Sequence, residues 1–310
     1  MARKRKARPR SNNCPGGPNL RDFQSRFPDE EACLTHLMRT RFGERLTCFK
    51  CQKQATYYRV KSRRSFECEH CGYQVYPTAG TPFESTRTPL RDWFYVMFLF
   101  CASRNGVAAK EVQRQLNVTY KTAWRMCNLI RKYMGYVDGD FPIGGHGKTV
   151  EADETFIGGK DHKGRPDHNK AIVFGIVERG GDVLTRHVPG RGQEDVIPPI
   201  VRYVKPGSKI YTDDWTGYMA LTERHGFEHE SVNHSAKEYV RGDVHTNTME
   251  GFWANVKRGI KGTYVWVSKK HLQTYLREFE YRHNLRQTPH LMFDLLLAAF
   301  PKVRVESPSP

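Results

Sequence analysis

The stretch Thr149-Val-Glu-Ala-Asp-Glu-Thr-Phe-Ile157 decides how the chain is read. Its residues alternate in character with the period of a half-buried strand. Working outward, residues 171–177 form an apolar run bounded by polar turns, and 183–188 form a third strand after Gly180-Gly181. Residues 194–204 suit a helix, 208–212 a fourth strand and 229–232 a fifth, before helical patterns over 249–258, 268–283 and 289–300. Three consecutive strands, a helix, another strand and a late block of helices predict an α/β layer architecture. The chain has no internal repeat.

That first strand carries acids where a strand is expected to be apolar. Asp153 is flanked by Glu151 and Glu154, Asp213 and Asp214 close the fourth strand, and Glu250 opens a helix near Trp253. An isolated ionised carboxylate inside a fold is costly, and several together are worse unless a cation neutralises them. Three convergent carboxylates from different elements make an oxygen-ligand set for Mg²⁺. Two such ions ~3.5–4 Å apart activate a water or hydroxyl and stabilise the leaving oxygen of phosphoryl transfer. Any one of these acids alone reads equally well as a solvated strand end or helix cap. Glu151 shares a strand face with Asp153. Asn247, one turn before Glu250, is a cap or a substrate contact, and His234 and His245 flank the polar loop ahead of that helix.

Upstream, residues 136–148 form a glycine-rich linker. Residues 88–135 read as helical. A short amphipathic helix over 107–116, the turn Asn117-Val118-Thr119 and a longer helix from Tyr120 fit a helix-turn-helix or an ordinary helical hairpin. The longer helix carries Lys121, Arg125, Arg131 and Lys132. Residues 28–87 combine a short helix with Cys48-Phe-Lys-Cys51 and Cys68-Glu-His-Cys71, 16 residues apart. Each CxxC turn supplies two thiolates, and that gap is room for a hairpin returning with the other two. Structural zinc is expected, with a rubredoxin-like iron site as the alternative. His70 lies beside a completed tetrad and reads as surface; Cys14, Cys33, Cys101 and Cys127 lack partner spacing. Residues 1–27 read as a mostly disordered basic arm, and 304–310 as a tail.

The chain has 310 residues, with 50 Lys and Arg against 33 Asp and Glu, a formal net charge of +17. Six of those bases lie in the first ten residues, and removing them still leaves +11. The excess is spread through the body, which points to a polyanionic partner. The longest apolar run, residues 93–102, is too short to cross a bilayer, and no apolar stretch follows the basic N-terminus as in a secretory signal. Paired CxxC turns suit a reducing compartment, so a soluble, intracellular protein is expected.

The strings Val150-Glu-Ala-Asp153-Glu-Thr-Phe-Ile-Gly-Gly-Lys160, Tyr211-Thr-Asp213-Asp-Trp-Thr-Gly-Tyr218 and His245-Thr-Asn-Thr-Met-Glu250-Gly-Phe-Trp-Ala-Asn-Val-Lys257 resemble the zinc-ribbon DDE transposases of bacterial insertion sequences, the ISXO-two-like group. The likeness extends through Glu278-Phe-Glu-Tyr-Arg-His-Asn284 and covers about residues 28–300. It implies an RNase H-like core over residues 149–303 with its first acid on strand one, its second on strand four and its third on a late helix. Carried over, these are Asp153, Asp213 and Glu250 as Mg²⁺ or Mn²⁺ ligands, with Lys257 holding a phosphate. Asp214 stands where the group has glycine, so the second acid is Asp213 or Asp214, with Asp213 preferred. An exposed surface base is the other reading of Lys257.

The resemblance implies a DNA transposase with structural zinc on Cys48, Cys51, Cys68 and Cys71 and two catalytic Mg or Mn ions. It would bind the terminal inverted repeats of its element, hydrolyse a phosphodiester at each end and join the 3′-hydroxyl to target DNA. Tyr120, Lys121 and Arg125 are expected on the reading helix, and Lys160, Lys163, Arg258 and Lys261 against backbone phosphates. Trp215, Trp253, Tyr264 and Trp266 are stacking candidates for an unpaired base, or core aromatics, the reading preferred for all four. A homodimer or larger synaptic complex in the cytoplasm, associated with the nucleoid, is expected. The rivals are a transposase-derived DNA-binding regulator without catalysis and an RNase H-like nuclease that cuts without joining.

Overall fold

A computed structural model describes residues 16–158, 170–213, 215–232 and 243–302. Three assemblies follow one another along them: a small β module, a helical layer and a five-stranded sheet covered on both faces.

The chain enters through α1 (Leu20–Arg26) and α2 (Glu30–Phe42). Asn19 and Asp29 cap them, each accepting a backbone N–H three residues on. The disordered arm expected over residues 1–27 therefore does not extend to α1. Phe23 and Phe27 are buried against Phe94, Phe98 and Phe293, and burying two aromatic rings offsets the entropy of ordering one short helix.

The β module pairs β1 (Leu46–Thr47) with β2 (Gln54–Ala55), and β3 (Tyr57–Val60) with β4 (Ser65–Cys68) and β5 (Gln74–Val75), all antiparallel. Next come α3 (Leu90–Ala102), α4 (Ala109–Leu116) and α5 (Tyr120–Asp138). Asn117 ends α4 in the left-handed conformation (φ 51°), and Thr119 caps α5 through the Thr122 N–H. Helix α5 runs into the glycine-rich stretch expected to be a linker, and β6 (Ile143–Gly144) within it pairs with β10 (Val204–Lys205).

The main sheet comprises β7 (Thr149–Ile157), β8 (Ala171–Glu178), β9 (Val183–Val188), β11 (Lys209–Asp213) and β12 (Glu228–Val232) in the order β12-β11-β7-β8-β9. Strands β7, β8 and β9 run antiparallel, whereas β11 lies parallel to both β7 and β12. Because alternate residues face opposite sides, Val150, Ala152, Phe174 and Ile176 pack toward α6 (Gln193–Tyr203) and α7 (Ala220–His225). Ile157, Val173 and Val177 pack toward α8 (Asn247–Gly259) and α9 (Lys269–Asn284). The final helix, α10 (Met292–Ala299), was expected with the α/β block but joins the helical layer instead. Phe300 just beyond it stacks on Tyr133 of α5 with ring centroids 3.9 Å apart.

Candidate active site

The β module is built around its cysteines. Cys48, Cys51, Cys68 and Cys71 place their Sγ atoms within 4.8 Å of one another. Cys48 and Cys71 are 3.5 Å apart, and Cys51 and Cys68 3.9 Å. A tetrahedron with Zn–S bonds of ~2.3 Å has S···S edges of about 3.8 Å, so the donor set fits zinc. The two loops close alike: Gln52 N–H donates to the Cys48 carbonyl and Gly72 N–H to that of Cys68, both at 3.0 Å. Both donors adopt positive φ, 60° at Gln52 and 67° at Gly72, and glycine takes this without Cβ strain.

The second cluster centres on Asp153, paired across the sheet with Gly175 of β8. A Cβ at Gly175 would come within 2.3 Å of Met249 and 2.7 Å of Trp253. The missing side chain lets α8 lie directly on the sheet at that level, and Trp253 Nε1 donates to Asp153 Oδ2 at 3.1 Å. Asp213 ends β11 and Glu250 lies in the first turn of α8. Asp153 and Asp213 are half-buried and Glu250 is exposed. Burial pushes the Asp153 carboxyl up to about 7, and the carboxylates of Glu154, Asp213 and Glu250 add to the rise. The three acids thus share one electrostatic neighbourhood while coming from three elements. Among the described residues, the cysteines alone form a set of three or more ligand atoms within 4.8 Å. Lys257 is exposed on α8, seven residues after Glu250.

Behind these acids lies a layer that residue spacing did not identify. Glu151 is fully buried. Its Oε2 accepts the backbone N–H groups of Thr248 at 2.8 Å and Met249 at 3.0 Å, and its Oε1 accepts the Thr248 hydroxyl at 2.9 Å. Helix α8 has no side-chain cap of its own, so Glu151 satisfies its open N-terminus from the neighbouring strand. Arg179 Nε donates to Glu151 at 2.7 Å, its guanidinium reaches the His245 carbonyl at 2.9 Å, and it lies 4.9 Å from the Tyr211 ring centroid. Glu151, Tyr211 and Thr248 each stand two residues before one of the three acids, and Tyr211 pairs directly with Glu151. On the other side, Glu154 accepts the Tyr218 hydroxyl at 2.6 Å and Arg191 Nη2 at 2.7 Å. Shared strand parity marked Glu151 as facing Asp153; no pattern marked Arg179 or Arg191.

Of the remaining expected residues, Tyr120, Lys121 and Arg125 are exposed on the first turns of α5, and Arg258 and Lys261 are exposed around the end of α8. Lys160, Lys163, Asp214, His234 and Cys14 lie outside the described residues. Arg131 does not join the exposed bases: it is buried against Glu278 of α9, with Nε to Oε2 at 2.6 Å. Among the aromatic candidates, Trp253 is buried, Trp215 is half-buried against Tyr218, and the Tyr264 hydroxyl donates to Glu278. Trp266 is 68% exposed, which overturns the preferred core reading of that residue.

A cysteine tetrad in a small β module is thus followed by a mixed α/β domain whose sheet and covering helices carry Asp153, Asp213 and Glu250. Residues 144–284 match the ISXO2-like transposase domain and residues 28–74 the transposase zinc-ribbon domain; the chain belongs to this family. It is 27% identical over 287 residues to an uncharacterized protein in transposable element ISH50 of Halobacterium salinarum, spanning 85% of this chain and 94% of that one. It is also 32% identical over 102 residues to an uncharacterized transposase-like protein of Haemophilus influenzae, spanning 33% of this chain and 80% of that one. No solved structure matches the chain.

Proposed function

We propose that the chain is an active DNA transposase of a bacterial-type insertion sequence. In this reading it binds the terminal inverted repeats, hydrolyses a phosphodiester at each end and joins the freed 3′-hydroxyls to target DNA. The observation that carries the reading is the placement of Asp153 on β7, Asp213 at the end of β11 and Glu250 in the first turn of α8, with β7 and α8 joined behind the acids through Glu151. An all-carboxylate set whose members repel one another fits a hard divalent cation. An RNase H-like core is supported by the sheet order and by the positions of the acids on β7, β11 and α8.

In this reading Asp153, Asp213 and Glu250 hold Mg²⁺ or Mn²⁺. Bound there, the ions supply charge neutralisation and activation of the attacking oxygen. Trp253 Nε1 fixes one Asp153 oxygen. Lys257 pairs with a phosphate next to the bond that breaks. A water oxygen attacks phosphorus, the bond to the 3′-oxygen breaks, and the 3′-hydroxyl leaves. That hydroxyl then attacks a target phosphodiester and displaces the target's own 3′-oxygen. Both steps rest on positioning and charge, so no covalent protein intermediate forms.

A helix-turn-helix role for α4 and α5 is supported by the three-residue turn between them and by exposed Tyr120, Lys121 and Arg125. Joining two ends calls for a dimer or larger synaptic assembly, and its DNA substrate places the protein in the cytoplasm. No helix among the described residues is long and apolar enough to cross a membrane.

Purified protein with Mg²⁺ and a labelled DNA carrying the element's ends tests the reading. Nicked ends and joined products are expected. Binding without nicking in Mg²⁺ or Mn²⁺ assigns a regulator instead, and nicking without joining assigns a nuclease.

A further inference from the structure

Beyond Glu250 and Lys257, α8 passes into a π-helical turn, Ile260–Tyr264, a rare form that recurs at functional sites. Val265 follows with φ 64° and ψ −50°, and Trp266 N–H donates to the Tyr264 carbonyl at 2.7 Å. This is a γ-turn of the strained type, centred on a β-branched residue for which positive φ is an outlier. Backbone strain of this kind persists where the surroundings hold it in place. Here the Tyr264 hydroxyl is anchored on buried Glu278 at 2.6 Å. The turn projects Val265 and Trp266 outward, 80% and 68% exposed. Burial accounts for Trp93 and Trp253; nothing in the core accounts for Trp266.

Trp266 borders a recess of about 390 Å³ between the end of β7 and the end of α8, an ordinary size for a small-ligand site. Phe156 and Gly158 line it on the strand side, and Lys257 and Lys261, one helical turn apart, on the helix side. Phe156 stands three residues after Asp153, and Lys257 seven after Glu250. The recess therefore opens along the two elements that carry the first and third acids. The exposed Trp266 indole offers a π-face, and the two ammonium groups offer phosphate contacts. Together they match a nucleotide whose base presents its face. Bases inside a duplex are stacked on both faces, so the occupant is a base that is unpaired or turned out of the helix.

We propose that this recess binds one unpaired nucleobase of the DNA beside the scissile phosphate, stacked on Trp266, with Lys257 and Lys261 on the flanking phosphates. The proposal rests on the reading of the chain as a DNA transposase, and it adds a requirement that DNA at the cut be locally open.

The test uses the full chain and two probes of the element's end. One is fully paired, and the other carries a short single-stranded extension containing 2-aminopurine. Wild type is expected to quench the 2-aminopurine on binding. Trp266→Ala is expected to lose the quenching and to weaken binding of the extended probe roughly tenfold, with binding of the paired probe changed less than about twofold. Trp266→Phe keeps most of both signals. Since Trp266 is exposed, an unchanged thermal midpoint shows that the fold is intact. If Trp266→Ala binds and quenches like wild type, or weakens both probes equally, the base site is wrong. A wild-type protein that binds neither probe overturns the DNA reading itself, and this proposal with it.

Discussion

Glu151 on β7 receives the backbone N–H of Thr248 on α8 at 2.8 Å, joining the strand that bears Asp153 to the helix that bears Glu250. Both contact residues lie two positions before an acid. With Arg179 spanning Glu151 and the Tyr211 ring, this layer fixes the spacing of the three elements from behind. Glu151→Gln keeps the shape but sets an amide N–H₂ against N–H donors. Displacements of about 1 Å cost catalysis up to ~100-fold, so end cleavage should fall roughly 10–100-fold with end affinity little changed. Denaturant unfolding should show a loss of about 1–3 kcal/mol. Thr248→Val, which removes only the hydroxyl contact, should lose less of both.

The cysteine geometry predicts one zinc per chain by elemental analysis. Cys68→Ser should lower that content toward zero and unfold the β module locally, because binding free energies of roughly 10–16 kcal/mol dwarf what so small a core supplies. Residues 149–302 hold none of these ligands, and their secondary structure should survive a chelator.

Arg131 and Glu278 form a buried pair joining α5 to α9. Arg282 and the Tyr264 hydroxyl also contact Glu278, so the carboxylate serves two guanidinium groups. Glu278→Gln strands both arginines and should lower stability in urea by about 3–5 kcal/mol. Arg131→Met leaves Glu278 its partner Arg282 and should cost less.

Asp138, near the end of α5, accepts Asn284 Nδ2 at 3.0 Å. Burial pushes its carboxyl from 3.8 up to about 7, with the Glu280 carboxylate adding to the rise. The folded state therefore holds this proton where the unfolded chain has lost it. The resulting stabilisation is fully present below pH ~4 and is lost as pH rises through about 7. Asp138→Asn should be more stable than wild type at pH 8, by on the order of 1–3 kcal/mol, since a tenfold change in proton affinity is worth about 1.4 kcal/mol. Subtracting the two stability profiles should isolate a slope confined to that pH window.

Much of the sheet could be read directly from the chain. Alternation marks β7, apolar runs mark β8 and β9, and the CxxC pairs mark the β module because thiolate geometry is local. What escaped depends on partners distant in sequence. Helix α1 sits in a polar, basic stretch, and only packing against Phe98 and Phe293 reveals why it forms. Arg131 reads as a surface base until Glu278, 147 residues away, neutralises it. The role of Glu151 needs the N-terminus of a helix 97 residues on. The exposure of Trp266 follows from a strained turn at Val265 that carries no glycine to announce it.

The central claim is that Asp153 holds metal for phosphodiester chemistry. Asp153→Asn preserves size and the acceptor for Trp253 Nε1 while removing the charge. With labelled end DNA and Mg²⁺, the variant should bind ends like wild type and yield neither nicks nor joined products above background. Cleavage and joining by Asp153→Asn at the wild-type rate would contradict the account.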